Sequence, residues 1–258
     1  MTLRTFKVQF YIQIMLLLAH ATHSKAQTLY VGVESGINSN HLYTNASSRF
    51  FTDYKSLTGV NVAGTATLNI NNWLALQLSP TFIQKNYKLT RSGYFNGQFQ
   101  EFHNSYWQLP AIAQFSFGSS IVQGFLSVGV YSAYWLSATT KGKQPVMWNS
   151  GENTPESRYT IFNYDGGQTY DEKYVFNDRK DNRWEFGWVA GAGIRWIPNA
   201  RSRVYIEYRR YTAQTDQQKN YMLNKVPRYN QTAGISLGYQ YSLAGLTGLS
   251  RKKHRPTK

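Results

Sequence analysis

Trp184-Glu185-Phe186-Gly187-Trp188-Val189-Ala190-Gly191-Ala192-Gly193-Ile194-Arg195-Trp196 alternates with a period of two. On an extended strand, successive side chains point to opposite faces. Phe186, Trp188, Ala190, Ala192, Ile194 and Trp196 therefore share one face, and Glu185, Gly187, Gly191, Gly193 and Arg195 share the other. One face is greasy and aromatic. The other is small and carries charge.

Seven further segments repeat the pattern, at about 29–37, 60–70, 73–82, 106–117, 125–136, 203–209 and 232–241. In the first, Leu29, Val31, Val33 and Ile37 oppose Tyr30, Gly32, Glu34 and Gly36. In the fourth, Trp107, Leu109, Ala111, Ala113, Phe115 and Phe117 oppose Gln108, Pro110, Ile112, Gln114 and Ser116. In the segment at 203–209, the seventh of the eight in chain order, Val204, Ile206 and Tyr208 oppose Arg203, Tyr205, Glu207 and Arg209. Several segments reach about 9–12 residues, the length a tilted strand needs to cross a bilayer's hydrocarbon. Period alone does not say which face is enclosed. Chemistry does, because Glu, Arg, Gln and Asn recur on one face and cannot point into lipid without large cost. A soluble sandwich or lipocalin would turn those groups outward instead.

The connections carry the same message. Asn71-Asn72 joins the second and third segments, residues 118–124 the fourth and fifth, and residues 197–202 the sixth and seventh. The other four connections, about 38–59, 83–105, 137–183 and 212–228, are long. Strict short/long alternation is the habit of outer-membrane barrels, with short periplasmic turns and long external loops. The expected fold is all-β: an eight-stranded antiparallel up-and-down transmembrane β-barrel with both termini on the periplasmic side. The 137–183 connection is too long for a structureless loop in a compact domain. It reads equally as a hairpin extension above the membrane or as a mobile loop.

The amino-terminal segment belongs to export rather than to the fold. Arg4 and Lys7 precede an apolar run from Phe10 to Ala19, and Ser24-Lys25-Ala26 supplies small residues at a cleavage site. That order marks a secretory signal peptide, and the run is too short for a membrane-spanning helix. The expected organisation is a leader over 1–26 cleaved near Ala26, a barrel over 27–243 and a basic tail over 244–258. No later stretch is long and apolar enough for a transmembrane helix.

Composition fits a wall with one lipid face. Aromatics make up 16% of the 258 residues, with 20 Tyr and 7 Trp, and there is no cysteine to form a disulfide. The formal charge of +15 falls to +12 once Arg4, Lys7 and Lys25 leave with the signal. Positive charge of this size often means nucleic acid, but export argues against that partner. Outer-membrane lipids and other envelope proteins are the expected partners, with no cofactor.

Short motifs strengthen the assignment. Asn69-Ile70-Asn71-Asn72-Trp73 leads into Leu76-Gln77-Leu78-Ser79-Pro80-Thr81-Phe82. Tyr106-Trp107-Gln108-Leu109-Pro110-Ala111-Ile112, Gly191-Ala192-Gly193-Ile194 and Gly234-Ile235-Ser236-Leu237-Gly238-Tyr239 follow. Together they resemble the PorT-like outer-membrane β-barrel domain family of Bacteroidetes. The resemblance spans nearly all the mature chain. It implies the barrel fold and the outer membrane. The named PorT proteins are associated with type IX secretion and gliding. One departure is the seventeen residues after Tyr241, where such barrels often end on an aromatic residue.

Glu34, Glu185, Arg195, Arg203, Glu207 and Arg209 fall on the expected inner face. An eight-stranded barrel has an interior just wide enough for side chains. Charges enclosed there need partners, so an interior ion network is expected, against the alternative that several sit in water at the barrel ends. Trp73, Trp107, Trp184, Trp196 and Tyr241 stand at segment ends, where interfacial aromatic belts lie. Two rival functions share the same fold. One is a narrow passive porin-like channel. The other is a lipid-modifying hydrolase using His41 or His103 with Ser39 or Ser105 near the outer rim. No metal-ligand spacing, phosphate-cradling glycine loop or dinucleotide fingerprint is present. The tail cluster Arg251-Lys252-Lys253-His254-Arg255 reads as a solvated end or as a contact for anionic headgroups.

Overall fold

A computed structural model describes residues 28–44, 51–93, 96–144, 168–221 and 225–243. The expected leader and the basic tail lie outside the described residues. Eleven strands are present: β1 (Thr28–Tyr43), β2 (Thr52–Asn69), β3 (Leu74–Leu78), β4 (Thr81–Gln84), β5 (Tyr87–Arg91), β6 (Phe99–Gly118), β7 (Val122–Gln144), β8 (Gln168–Lys173), β9 (Trp184–Asn199), β10 (Ser202–Ala213) and β11 (Tyr229–Ser242).

All pairings are antiparallel, and β1 pairs with β11 from Tyr30↔Ser242 to Tyr43↔Tyr229, which closes the sheet. β3, β4 and β5 succeed one another along one stave, each lying between β2 and β6. β8 pairs with the far end of β7, whose nearer part pairs with β9, so β8 and β9 share another stave. The eleven strands thus make an eight-stave closed barrel. Closure removes the edges of the membrane-crossing wall, so each backbone donor and acceptor there can be met by a neighbour, and β8, beyond it, is paired on the β7 side alone.

The wall alternates as the pattern requires. Trp188 is 60% exposed on the outside while adjacent Val189 is 1% exposed inside. Val33, Val62, Leu126, Ile194, Ile206 and Leu237 all face outward. Gln77, Gln108, Gln114, Ser127, Thr232 and Gln240 are buried within. Glycine makes the inner face work. A Cβ at Gly238 would collide with the Tyr205 ring, and one at Gly193 with the Phe125 ring.

Outward-facing aromatic side chains lie toward both ends of the apolar band. Trp107, Tyr134 and Trp184 stand side by side through the pairings Trp107↔Tyr134 and Tyr134↔Trp184. Trp73, Trp196 and Tyr241 lie toward the short-turn end, with Trp73 stacked on Phe115 at 6.1 Å. From Trp184 to Trp196 the chain climbs about 30 Å normal to the bilayer, taking ~3.3 Å per residue and a tilt of about 40°. That matches a hydrocarbon core.

The structure departs from expectation where the long connections begin. The strands continue well past the expected ends. β1 and β2 pair out to Asn40↔Leu57, and β6 and β7 out to Phe99↔Lys143. Residues 139–144 and 168–173, read from sequence within one connection, form a ladder. Beyond the lipid no face must be apolar, so the alternation fades while backbone pairing goes on. Residues 145–167 of that connection lie outside the described residues.

Two irregularities aim side chains inward. A register shift between Ser105 and Tyr106 sets Tyr106 opposite Trp135 and Ser105 opposite Ser137, leaving Leu136 unpaired. Trp135 keeps the inward phase of Tyr131 and Ala133, and the bulge then flips the phase of β7 so that Ala138 and Thr140 also face the interior. The break between β4 and β5 buries Lys85, Asn86 and Tyr87 in succession. Its backbone is tied by Lys85 N–H to the Asn104 carbonyl at 2.9 Å, and the Asn86 side-chain Nδ2 donates to the Thr58 carbonyl at 2.9 Å.

Candidate functional site

The lumen is filled by three tiers of polar side chains. At mid-height, Arg209 donates to both oxygens of Glu34, at 2.6 and 3.1 Å, and to Glu207 at 2.7 Å. Tyr205 donates its hydroxyl to Glu34 at 2.6 Å, and Ser127 donates to Glu207 at 2.6 Å. One guanidinium therefore serves two carboxylates, and neighbouring hydroxyls occupy further lone pairs. Buried ions cost several kcal/mol each to desolvate, and dense hydrogen bonding of this kind is what offsets it. Beside this tier, the void lined by Asn38, Asn61, Thr81 and Ile83 has a volume of about 10 Å³. That is room for one water at most.

Toward the external side, Lys85 donates to Glu185 in a buried ion pair. Tyr131 donates to the same carboxylate at 2.8 Å and Asn230 at 2.6 Å. The Lys85 ammonium also lies 4.9 Å from the ring centroids of Tyr106 and Tyr131. Above this pair the interior turns aromatic. Trp135 stacks on Tyr106 at 5.9 Å and on Tyr174 at 5.7 Å, and meets Phe176 edge-on at 4.9 Å. Tyr174 and Phe176 come from the segment after β8, which folds back over the opening.

Toward the short turns, Arg195 donates to Gln114 at 2.6 Å and Ser116 at 3.3 Å, with its guanidinium 4.7 Å from the Phe125 ring. Arg203 donates to Asn69 at 3.2 Å and lies 3.3 Å from the Tyr30 ring centroid. No acid is ion-paired with either among the described residues.

The structure thus brings Glu34, Glu207 and Arg209 together, sends Glu185 to Lys85, and leaves Arg195 and Arg203 on neutral partners. All six are buried. Sequence reasoning put Tyr205 on the inner face without a role and did not name Lys85, Tyr131 or Trp135 as partners. Lys85 carried a signal, because Gln77, Ser79, Thr81 and Ile83 share its phase. The expected strand simply stopped at Phe82. Trp135 carried one too, since it shares the phase of Ser127, Tyr131 and Ala133 on the inner face of β7.

The candidate hydrolase residues are not assembled. His41 on β1 and His103 on β6 sit at positions that alternate with buried neighbours, Asn40 and Leu42 for one, Phe102 and Asn104 for the other. Both therefore face outward, on staves separated by two others. His103 instead lies 3.7 Å from Glu101. Lys88 also donates to Glu101 at 2.8 Å and, together with His103, holds its carboxyl below the usual carboxylate range. This cluster sits on the strand extensions beyond the Trp107 ring. No cluster of three or more metal-ligating side chains occurs among the described residues.

A closed antiparallel barrel with an apolar exterior, outward-facing aromatics toward both of its ends and a polar packed interior defines an integral outer-membrane β-barrel protein. The chain belongs to the outer membrane protein beta-barrel domain family, whose model matches residues 24–216. Its place is the cell outer membrane. Among solved structures it is similar to Neisserial surface protein A, with a TM-score of 0.41 at 11% identity, covering 84% of this chain and 99% of that one. It is also similar to OprG from Pseudomonas aeruginosa, with a TM-score of 0.43 at 9% identity and coverage of 84% and 95%. The attachment invasion locus protein Ail of Yersinia pestis gives 0.37 at 13% identity, with coverage of 83% and 99%. At such identities the likeness is one of fold. No curated protein sequence matches the chain.

Proposed function

We propose that this barrel is a non-enzymatic, non-conducting membrane anchor whose external strand extensions bind or position another envelope component. The observation that carries the reading is the filled lumen. The Glu34–Arg209–Glu207 tier leaves a void of about 10 Å³, and the Trp135, Tyr174 and Phe176 rings lie above it. A narrow passive channel would need a continuous water path, and a hydrolase built on both His41 and His103 would need the two together. The work then falls to the paired strands beyond the membrane, which present Lys88, Glu101, Lys141 and Asp171.

Within that reading, the PorT-like motifs around Trp107-Gln108-Leu109-Pro110 support an accessory role in a type IX-like export system. Residues 1–26 act as the cleaved leader, and 244–258 form a periplasmic tail beyond the last strand. Planar-bilayer recording of the purified protein tests the anchor. No stepwise conductance is expected, and reproducible single-channel steps would overturn it. Deleting the gene and measuring cargo export tests the accessory role. Export is expected to fall, and unchanged export would remove that role while leaving the anchor intact. Amino-terminal sequencing of the protein from outer membranes is expected to begin near Gln27.

A further inference from the structure

At the short-turn end the lumen opens into a cavity of about 440 Å³, lined among others by Asn69, Asn72, Ser116, Ser120, Arg195 and Arg203. Arg195 is 2% exposed and Arg203 is 5% exposed, yet neither is in an ion pair among the described residues. Their side-chain acceptors are neutral oxygens of Gln114, Ser116 and Asn69, and the Nε of each is buried with no partner. An enclosed cation without a counter-charge is costly.

The acids higher in the lumen do not supply that charge in full. Glu34 and Glu207 share Arg209 and so leave one negative charge over. Two arginines remain below, one negative charge short of balance. Each guanidinium also lies over a ring, Arg195 over Phe125 and Arg203 over Tyr30. A guanidinium carries its donors in a rigid planar fork, the geometry that matches phosphate and carboxylate oxygens. The Asn and Ser groups around the opening add neutral donors. A cavity of this size exceeds the needs of a bare ion and falls in the range of small-molecule sites, about 300–1,000 Å³.

We infer that the periplasmic mouth of the barrel is a binding site for a phosphate-bearing anion, held between Arg195 and Arg203. The phosphate reaches the site as a soluble periplasmic phosphomonoester or as the headgroup of an inner-leaflet phospholipid at the rim. Both present the same oxygens to the same two forks.

The test uses the full chain in phosphate-free maltoside micelles and follows its folded-to-unfolded mobility transition on heating. A ligand that binds only the folded barrel raises that transition by mass action. One arm adds inorganic phosphate or glycerol 3-phosphate to the micelles, against chloride at equal ionic strength. The other adds phosphatidylglycerol to the same micelles and omits free phosphate. A rise in the first arm identifies a soluble ligand, and a rise in the second alone identifies the headgroup. Arg203→Gln is expected to weaken the response by about tenfold or more, as loss of a charge-assisted hydrogen bond does. Ser120→Trp fills the opening from an exposed turn and is expected to abolish it, which keeps the test decisive if Arg203→Gln fails to fold. Lys143→Gln, on the external extension, is expected to leave it unchanged. No rise in either arm for the unsubstituted chain, or an equal rise in Arg203→Gln and Ser120→Trp, would overturn the site.

Discussion

Replacing Arg209 with Met removes the one cation that serves two enclosed carboxylates. Arg209 makes three charge-assisted hydrogen bonds, at 2.6, 3.1 and 2.7 Å, and both acids are essentially unexposed. Its loss leaves Glu34 with Tyr205 and Glu207 with Ser127, so two buried like charges lose their shared cation, and the void of about 10 Å³ beside Glu34 has room for one water at most. Removing one member of a buried ion pair typically costs about 3–5 kcal/mol. With two acids orphaned, Arg209→Met belongs at the upper end of that range. The triple replacement Glu34→Gln, Glu207→Gln, Arg209→Met deletes the charges together, and its cost is expected to be about 2 kcal/mol or less, since neutral substitutes for buried ion networks are often tolerated. Urea unfolding in lipid vesicles, followed by tryptophan fluorescence, measures both. A single variant as stable as the parent would refute the reasoning. So would a triple variant as unstable as the single one.

Three further outcomes follow from other parts of the barrel. Gly238→Val places side-chain atoms where the Tyr205 ring lies, and overpacking of this kind is expected to cost about 1–3 kcal/mol, read as a lower urea midpoint. Trp135→Ala removes the ring stacked between Tyr106 and Tyr174 and is expected to cost about 3–5 kcal/mol, yet to stay electrically silent because the Glu34–Arg209–Glu207 tier remains; steady conductance from it would show the lower plug to be leaky. Glu101 titrates below its ordinary value of 4.5 through its bond to Lys88, so its contribution is present above that pH and is lost as pH falls through the lowered folded value. Protection from amide exchange at the Phe99–Glu101 edge of β6, taken relative to the unfolded chain at each pH, is expected to fall across that acidic window, and Glu101→Gln to flatten the dependence.

The barrel was legible because lipid imposes a rule on every membrane-crossing residue. Trp184 to Trp196 alternates without a fault, and its outward and inward sets are those of the folded strand. Above the membrane the rule lapses. Thr52 to Thr58 of β2 shows no apolar face, so nothing in its pattern announced a strand that backbone pairing with β5 sustains. The charged interior was legible as a face but not as a set of partners. Glu34 meets Arg209 through a pairing register across β1, β11 and β10, and alternation along one strand cannot supply that register. Lys85 lies past the end of its expected strand, and the inward turn of Ala138 rests on one unpaired residue, Leu136, that resembles any outward leucine.

Which face meets lipid can be read position by position, because the sequence holds no cysteine and single-cysteine variants carry one spin label each. Labels replacing Val128, Ile206 and Leu237 are expected to collide freely with oxygen dissolved in the acyl chains and hardly at all with a water-soluble nickel chelate. Labels replacing Ser127, Gln114 and Ser236 are expected to be immobilised and shielded from both. Oxygen-rich collisions at the second set, with the first set shielded, would mean that the wall is turned inside out and the account is wrong.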